Sequence, residues 1–84
     1  MNEKKVIAQY EAVRRLGQTN MLDKHLVQHI ALENGFHELV VAAEDDYTKI
    51  LSNYSEWMKL VNEDDIPKAR PVEATWRLKA EASE

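Results

Sequence analysis

Cysteine is absent from this 84-residue chain, and glycine and proline occur only twice each. Without cysteine there is no disulfide framework and no thiolate zinc or redox centre, a composition that fits a reducing compartment. A cytoplasmic location is the expectation. No apolar run approaches the roughly 20 residues of a membrane span. The opening MNEKKVIAQYEAVRR has a charged, amphipathic helical pattern and no signal-peptide core. A soluble protein that does not enter a membrane is expected. Also missing is any constellation specific enough to name a catalytic or cofactor chemistry, so no enzyme activity and no cofactor are expected.

What is present begins with size. A chain this short allows one domain with one small core, burying roughly 60–65 % of the surface of the unfolded chain. Stability is modest unless a partner or second copy contributes. The net charge of −4 is unevenly spread: residues 1–20 carry +2, 21–41 carry −2, 42–66 carry −5 and 67–84 carry +1. Duplex DNA binding draws its affinity mainly from Lys and Arg, so direct nucleic-acid binding is disfavoured. Docking onto a basic protein surface is compatible with this balance.

The two glycines divide helical patterns between Arg14 and Val41. Val6, Tyr10, Val13 and Leu16 recur at helical steps, with Lys4, Glu11 and Arg14 elsewhere on the wheel, giving helix one over residues 2–16. Gly17 supplies its left-handed end. Thr19, Asn20 and Asp23 all favour turns or N-caps. Helix two covers residues 23–34, with Leu26, Val27, Ile30 and Ala31 inward, Met21 or Leu22 at its start and Gly35 at its end. Phe36, Leu39, Val40 and Ala43 form a short third helix. Glu44, Asp45 and Asp46 then supply a cap and first-turn acids for a fourth, whose stripe runs Tyr47, Ile50, Leu51, Tyr54, Trp57 or Met58, and Val61.

Pro67 and Pro71 bracket Lys68, Ala69 and Arg70, and the helical body is expected to end near Ile66. The fold class is thus all-α: a small compact bundle of about four helices over residues 1–66, with a proline-bounded tail over 67–84. From Val72 onward apolar and polar residues alternate as in a two-faced strand, yet the composition favours helix. Helix or disorder ranks above strand, since no other strand exists in the chain to pair with. A partner's sheet edge would change that answer.

Arg14, Gly17, Thr19, Asn20, Met21 and Asp23, followed by Val27, Ala31, Gly35, Phe36, Glu38, Leu39 and Val40, carry a resemblance to a known family. The string resembles small phage and prophage proteins of unknown function with an R-x-x-G-x-T-N-M-x-D segment followed by V-x-x-x-A-x-x-x-G-[FY]-x-E-L-V. The likeness covers about half the chain, and its motif implies no known chemistry. The longer fourth helix and the tail from Pro67 depart from the pattern, which suggests a separate task for the added part.

Several side chains are candidates for a site. His25, His29 and Glu33 share a helical face at metal-ligand spacing, but without HExxH or a second-shell partner the ordinary polar stripe is preferred. His37 is not required by either reading. The helix-Gly35-helix unit has the outline of a DNA-reading motif, but FHELVVAAED offers no Arg, Lys, Asn or Gln to base edges. The partner-binding candidates are Glu44, Asp45, Asp46, Glu63, Asp64, Asp65 and Trp76. The two acidic groups flank helix four and would present a charge array like a phosphate backbone; helix capping and a solvated loop explain them more simply. Trp76 has few apolar neighbours in sequence, so it either anchors an interface or folds back on helix four.

Three functions are consistent with these features. The leading one is a phage-type interaction protein that binds a host protein with a basic surface and inhibits or modulates it by steric occlusion, a CRISPR effector being one such defence enzyme. A self-assembling accessory protein, a homo-oligomer whose subunits exchange tails, comes second. A nucleic-acid-binding regulator, resting on Lys4, Lys5, Arg14 and Arg15 with Glu3 and Glu11 diluting them, comes third.

Overall fold

In the computed structural model, residues 2–18 and 20–72 are described, and every regular element among them is helical. The order is α1 (Glu3–Leu16), α2 (Lys24–Glu33), α3 (His37–Ser52) and α4 (Tyr54–Met58), then a 3-10 turn at Glu63–Asp65. The all-α expectation is what forms.

The helix ends follow from side chains able to accept free backbone N–H groups. Asn2 Oδ1 accepts from the Lys5 N–H at 3.1 Å, and Asp23 Oδ1 from the Leu26 N–H at 3.2 Å. Asp23, rather than Asn20, therefore starts α2. The chain leaves α2 through a paired turn in which the Gly35 N–H donates to the Leu32 carbonyl at 3.1 Å and the Phe36 N–H to the Ala31 carbonyl at 2.8 Å. That turn requires φ of +72° at position 35, which glycine adopts without a Cβ penalty.

The start of α3 is capped from another helix. Phe36 offers no side-chain acceptor. Instead Gln9 of α1 accepts from the Leu39 N–H at 2.9 Å and donates to Glu38 Oε1 at 2.7 Å. One buried amide thus joins α1 to the first turn of α3 and fixes their register.

Residues 6–13 of α1 are all buried. A surface helix buries one stripe, so a run of this kind marks α1 as the central helix, with α2, α3 and α4 packed around it. Val6, Ile7, Tyr10 and Val13 meet Val27 and Ile30 of α2, Leu39 and Ile50 of α3, and Trp57 of α4 in one core. The wheel placed Glu11 away from the apolar stripe; it is only 2 % exposed, because α1 is enclosed on that side as well.

The expected third and fourth helices are divided differently. The backbone breaks at Asp46 (φ −161°, ψ 89°), where Asp46 Oδ1 accepts from the Lys49 N–H at 3.2 Å, so the anticipated cap persists as a kink inside α3. The longer stripe is instead interrupted at Asn53. Ser52 Oγ and Asn53 Nδ2 donate back to the Thr48 and Lys49 carbonyls at 2.9 and 2.8 Å, and these side chains compete with helix continuation.

Beyond α4 the chain stays on the body past Ile66. Ile66, Ala69 and Val72 are partly buried against the core. We call residues 62–72 the strap. Residues 73–84, including Trp76, lie outside the described residues.

Candidate functional site

Glu11 organises the most densely bonded polar cluster. Its carboxylate accepts from Arg14 Nε at 2.6 Å and Nη2 at 2.8 Å, from Arg15 Nε at 2.9 Å, and from the Tyr54 hydroxyl at 2.6 Å. Arg14 also stacks over the Tyr54 ring, 5.9 Å from its centroid. Tyr54 in turn meets Tyr10 edge-on at 5.8 Å. The Arg14 guanidinium, with further bonds from Tyr54 and Arg15, outweighs burial and holds the Glu11 carboxyl at about 2, against an ordinary 4.5. Arg15 extends the cluster to Glu63 of the strap through a two-point contact, Nη2 to Oε2 being 3.0 Å. With every bond of Glu11 made to a neighbouring helix residue or to Tyr54, the chemistry of this cluster is that of a structural tie.

The predicted acids fare unequally. Glu63 pairs with Arg15, which pulls its carboxyl below the usual range. Asp65 accepts from the Asn62 N–H at 2.8 Å and approaches Lys4 at 3.5 Å; the backbone bond and then the lysine lower it. Glu44 accepts from Gln28 at 3.2 Å and faces Lys24 at 3.6 Å, and its carboxyl is lowered by the two in that order. Asp46 is spent on its cap. Among the described residues, Asp45 and Asp64 remain as acids of these two groups without a hydrogen bond or ion pair. The basic groups of α1 are likewise engaged: Lys5 lies 3.9 Å from Glu38, and Lys4, Arg14 and Arg15 have the partners already given. Each basic group of α1 thus has an acidic partner within 4 Å.

A groove of about 480 Å³ lies between the N-terminal part of α1 and the solvent side of α3, lined by Asn2, Val6, His37, Glu38, Val41, Ala42 and Asp45. Val41 is 68 % exposed at its rim. A shallower depression on the same helix is lined by Val40, Val41, Glu44 and Asp45. A short apolar strip, Val40 and Val41, thus crosses α3 among carboxylates. Val40 belongs to the apolar face expected from the helical period, and Val41 falls outside it. Among the described residues, no three His, Cys, Asp or Glu side chains are placed to hold a metal ion, and His25 and Glu33 stand exposed on α2.

The fold and these sites define a class: a small α-helical domain around one central helix, tied by a buried carboxylate and carrying an apolar, acid-edged surface strip. No helix among the described residues is long and apolar enough to cross a membrane. Residues 1–58 match the family described as Domain of unknown function (DUF5049), and the chain belongs to that family. No curated protein and no solved structure matches it.

Proposed function

We propose that the chain is an interaction protein that binds a basic surface of a host protein through the solvent side of α3 and occludes it. The observation that carries this reading is Val41, an exposed branched apolar residue beside a preformed groove and between Glu38, Glu44 and Asp45. An apolar centre with a charged rim is the make-up of a protein-binding surface, and the sign of the rim selects a basic partner. The resemblance to phage and prophage proteins supports a host protein as the target. A nucleic-acid-handling defence enzyme, a CRISPR effector among them, has the kind of basic groove such a rim complements. Trp76 serves in this reading as a second anchor beyond the strap; Glu63 and Asp65 are engaged by Arg15 and Lys4 as Glu38 and Glu44 are by Lys5 and Lys24, which makes Asp45, among the described residues, the unpaired acid beside Val41. Two-fold self-association through the same strip would set Glu44 and Asp45 against their own copies, which favours a different protein over a second copy.

The test is retention of a basic host protein from bacterial lysate by the tagged full chain, compared with Val41→Arg and Asp45→Lys variants. Affinity for the captured partner is expected to fall at least about tenfold in each variant, with melting temperature unchanged. Equal affinity across the three chains removes α3 as the docking face.

A further inference from the structure

The strap is held on the body by three devices that together describe a ligand. Its carboxylates Glu63 and Asp65 sit on Arg15 and Lys4 of α1. Its apolar Ile66 and Ala69 line, with Ala12 and Leu16 of α1, a groove of about 430 Å³. Finally, two side-chain amides grip its main chain. Gln18 donates to the Val72 carbonyl at 2.8 Å and accepts from the Val72 N–H at 2.9 Å. Asn34 does the same with Arg70, donating at 3.0 Å and accepting at 2.7 Å.

These four amide bonds engage both main-chain groups of alternate residues, as a neighbouring β-strand would. Recognition of this kind reads an extended backbone and leaves side-chain identity to the flanking contacts. Lys4, Ala12, Arg15, Leu16, Gln18 and Asn34 all fall within the residues matched to the family, whereas the strap lies past them. The strap is also weakly buried. Ile66, Ala69 and Val72 are only partly covered, and the Glu63 side chain is 74 % exposed, so the strap is held loosely enough to open when its ion pairs are turned repulsive.

We propose that the face of α1 beneath the strap is a binding site for an acidic, extended peptide segment of a partner protein, and that the strap is its internal occupant, an autoinhibitory contact. A carboxylate for Lys4 and Arg15, an apolar side chain to lie against Ala12 and Leu16, and an extended backbone for Gln18 and Asn34 are what the site asks of a competitor. Tethered to the same chain, the strap acts at an effective concentration on the order of millimolar, so a free peptide binds the wild-type chain weakly and gains once the strap is loosened.

The experiment uses a fluorescein-labelled synthetic peptide copying residues 62–72, titrated by anisotropy into the full chain and into a full-length Glu63→Lys, Asp65→Lys double variant. The double variant is expected to bind at least about tenfold tighter, and adding Gln18→Ala and Asn34→Ala is expected to abolish the gain. Equal binding by both chains, or binding indifferent to the two amides, overturns the proposal. Should the double variant fail to fold, native-state amide exchange on the wild-type chain decides. The Arg70 and Val72 amides are expected to exchange at least about tenfold faster than the Leu39 amide, and faster again with excess unlabelled peptide. Exchange of Arg70 and Val72 only together with the core, unmoved by peptide, overturns it.

Discussion

Replacing Glu11 with glutamine tests whether a buried carboxylate holds α1, α4 and the strap together. The folded protein holds Glu11 at about 2, down from 4.5, and at ~1.4 kcal/mol per pH unit this shift corresponds to about 3 kcal/mol of favourable interaction with the ionised form. The net loss on substitution is smaller, because the Arg14 and Arg15 side chains are 49 % and 43 % exposed and regain water when their acceptor weakens. The glutamine side chain still fills the space and accepts through its one carbonyl oxygen. The expected cost is therefore about 2 kcal/mol near neutral pH, a fall in melting temperature of roughly 10–15 °C for a domain of this size.

The pH dependence separates this explanation from a packing defect. A carboxyl whose folded value lies below its unfolded value contributes stability that is complete above roughly pH 4.5 and is lost as pH falls through about 2. Glu38, Glu44, Glu63 and Asp65 are also lowered, and both proteins lose their contributions in acid. The difference between wild type and Glu11→Gln isolates Glu11 and the bonds it makes. Urea unfolding followed by circular dichroism is expected to show the full gap near pH 7 and a narrowing gap toward pH 2, with an unchanged m-value. A gap below about 0.5 kcal/mol at neutral pH, or one that persists unaltered in acid, refutes the electrostatic account.

Gln9→Leu keeps the volume of the side chain but leaves the buried Leu39 N–H without its acceptor, and is expected to cost about 1–3 kcal/mol in urea unfolding. Leu39 amide exchange should accelerate more than that of Ile50, which the substitution does not touch. Gly35→Ala meets no atom within 4 Å of the new Cβ, so only the positive φ is penalised. A loss of about 1 kcal/mol is expected in thermal unfolding, with Gly35→Asn milder, and a neutral alanine variant would show that the turn adapts.

The helices were legible where local chemistry decides them. Asn2, Asp23, Gly17 and Gly35 act at the ends of α1 and α2 as their side chains, or lack of one, dictate; of the four positions of helix two expected inward, Val27, Ile30 and Ala31 are buried and Leu26 is only half-buried. The kink at Asp46 was legible as a cap because three acids preceded an apolar stripe. The interruption at Asn53 was not, since back-bonding by Ser52 and Asn53 competes with a strong period and leaves no pattern of its own. Contacts between distant residues were illegible for a more general reason. Gln9 and Leu39 stand 30 residues apart, and Gln18 and Val72 stand 54 apart, so neither amide advertises its role in the surrounding sequence.

Glu11, placed off the apolar stripe by the helical period, is buried in the fold. An acid with arginines three and four positions later is the pattern of an exposed helical ion pair, worth a few tenths of a kcal/mol. Tyr54, 43 residues away, packs on the side of α1 that a two-faced wheel leaves to water, and the carboxylate of that pair is buried while its arginines stay half exposed. The same packing redistributes the charge. The +2 of residues 1–20 is not a free basic patch, since Lys4 and Arg15 reach the acids of the strap and Lys5 reaches Glu38. Of the −5 carried by residues 42–66, Glu63 and Asp65 of the strap are engaged in those pairs and Asp64 is left over, while Asp45 and the partly paired Glu44 stay on α3 beside Val41. Charge counted along the chain placed the two acidic clusters on an equal footing, and pairing across the fold among the described residues leaves one unpaired acid in each, Asp45 and Asp64; what sets the α3 cluster apart is the exposed Val41 beside it.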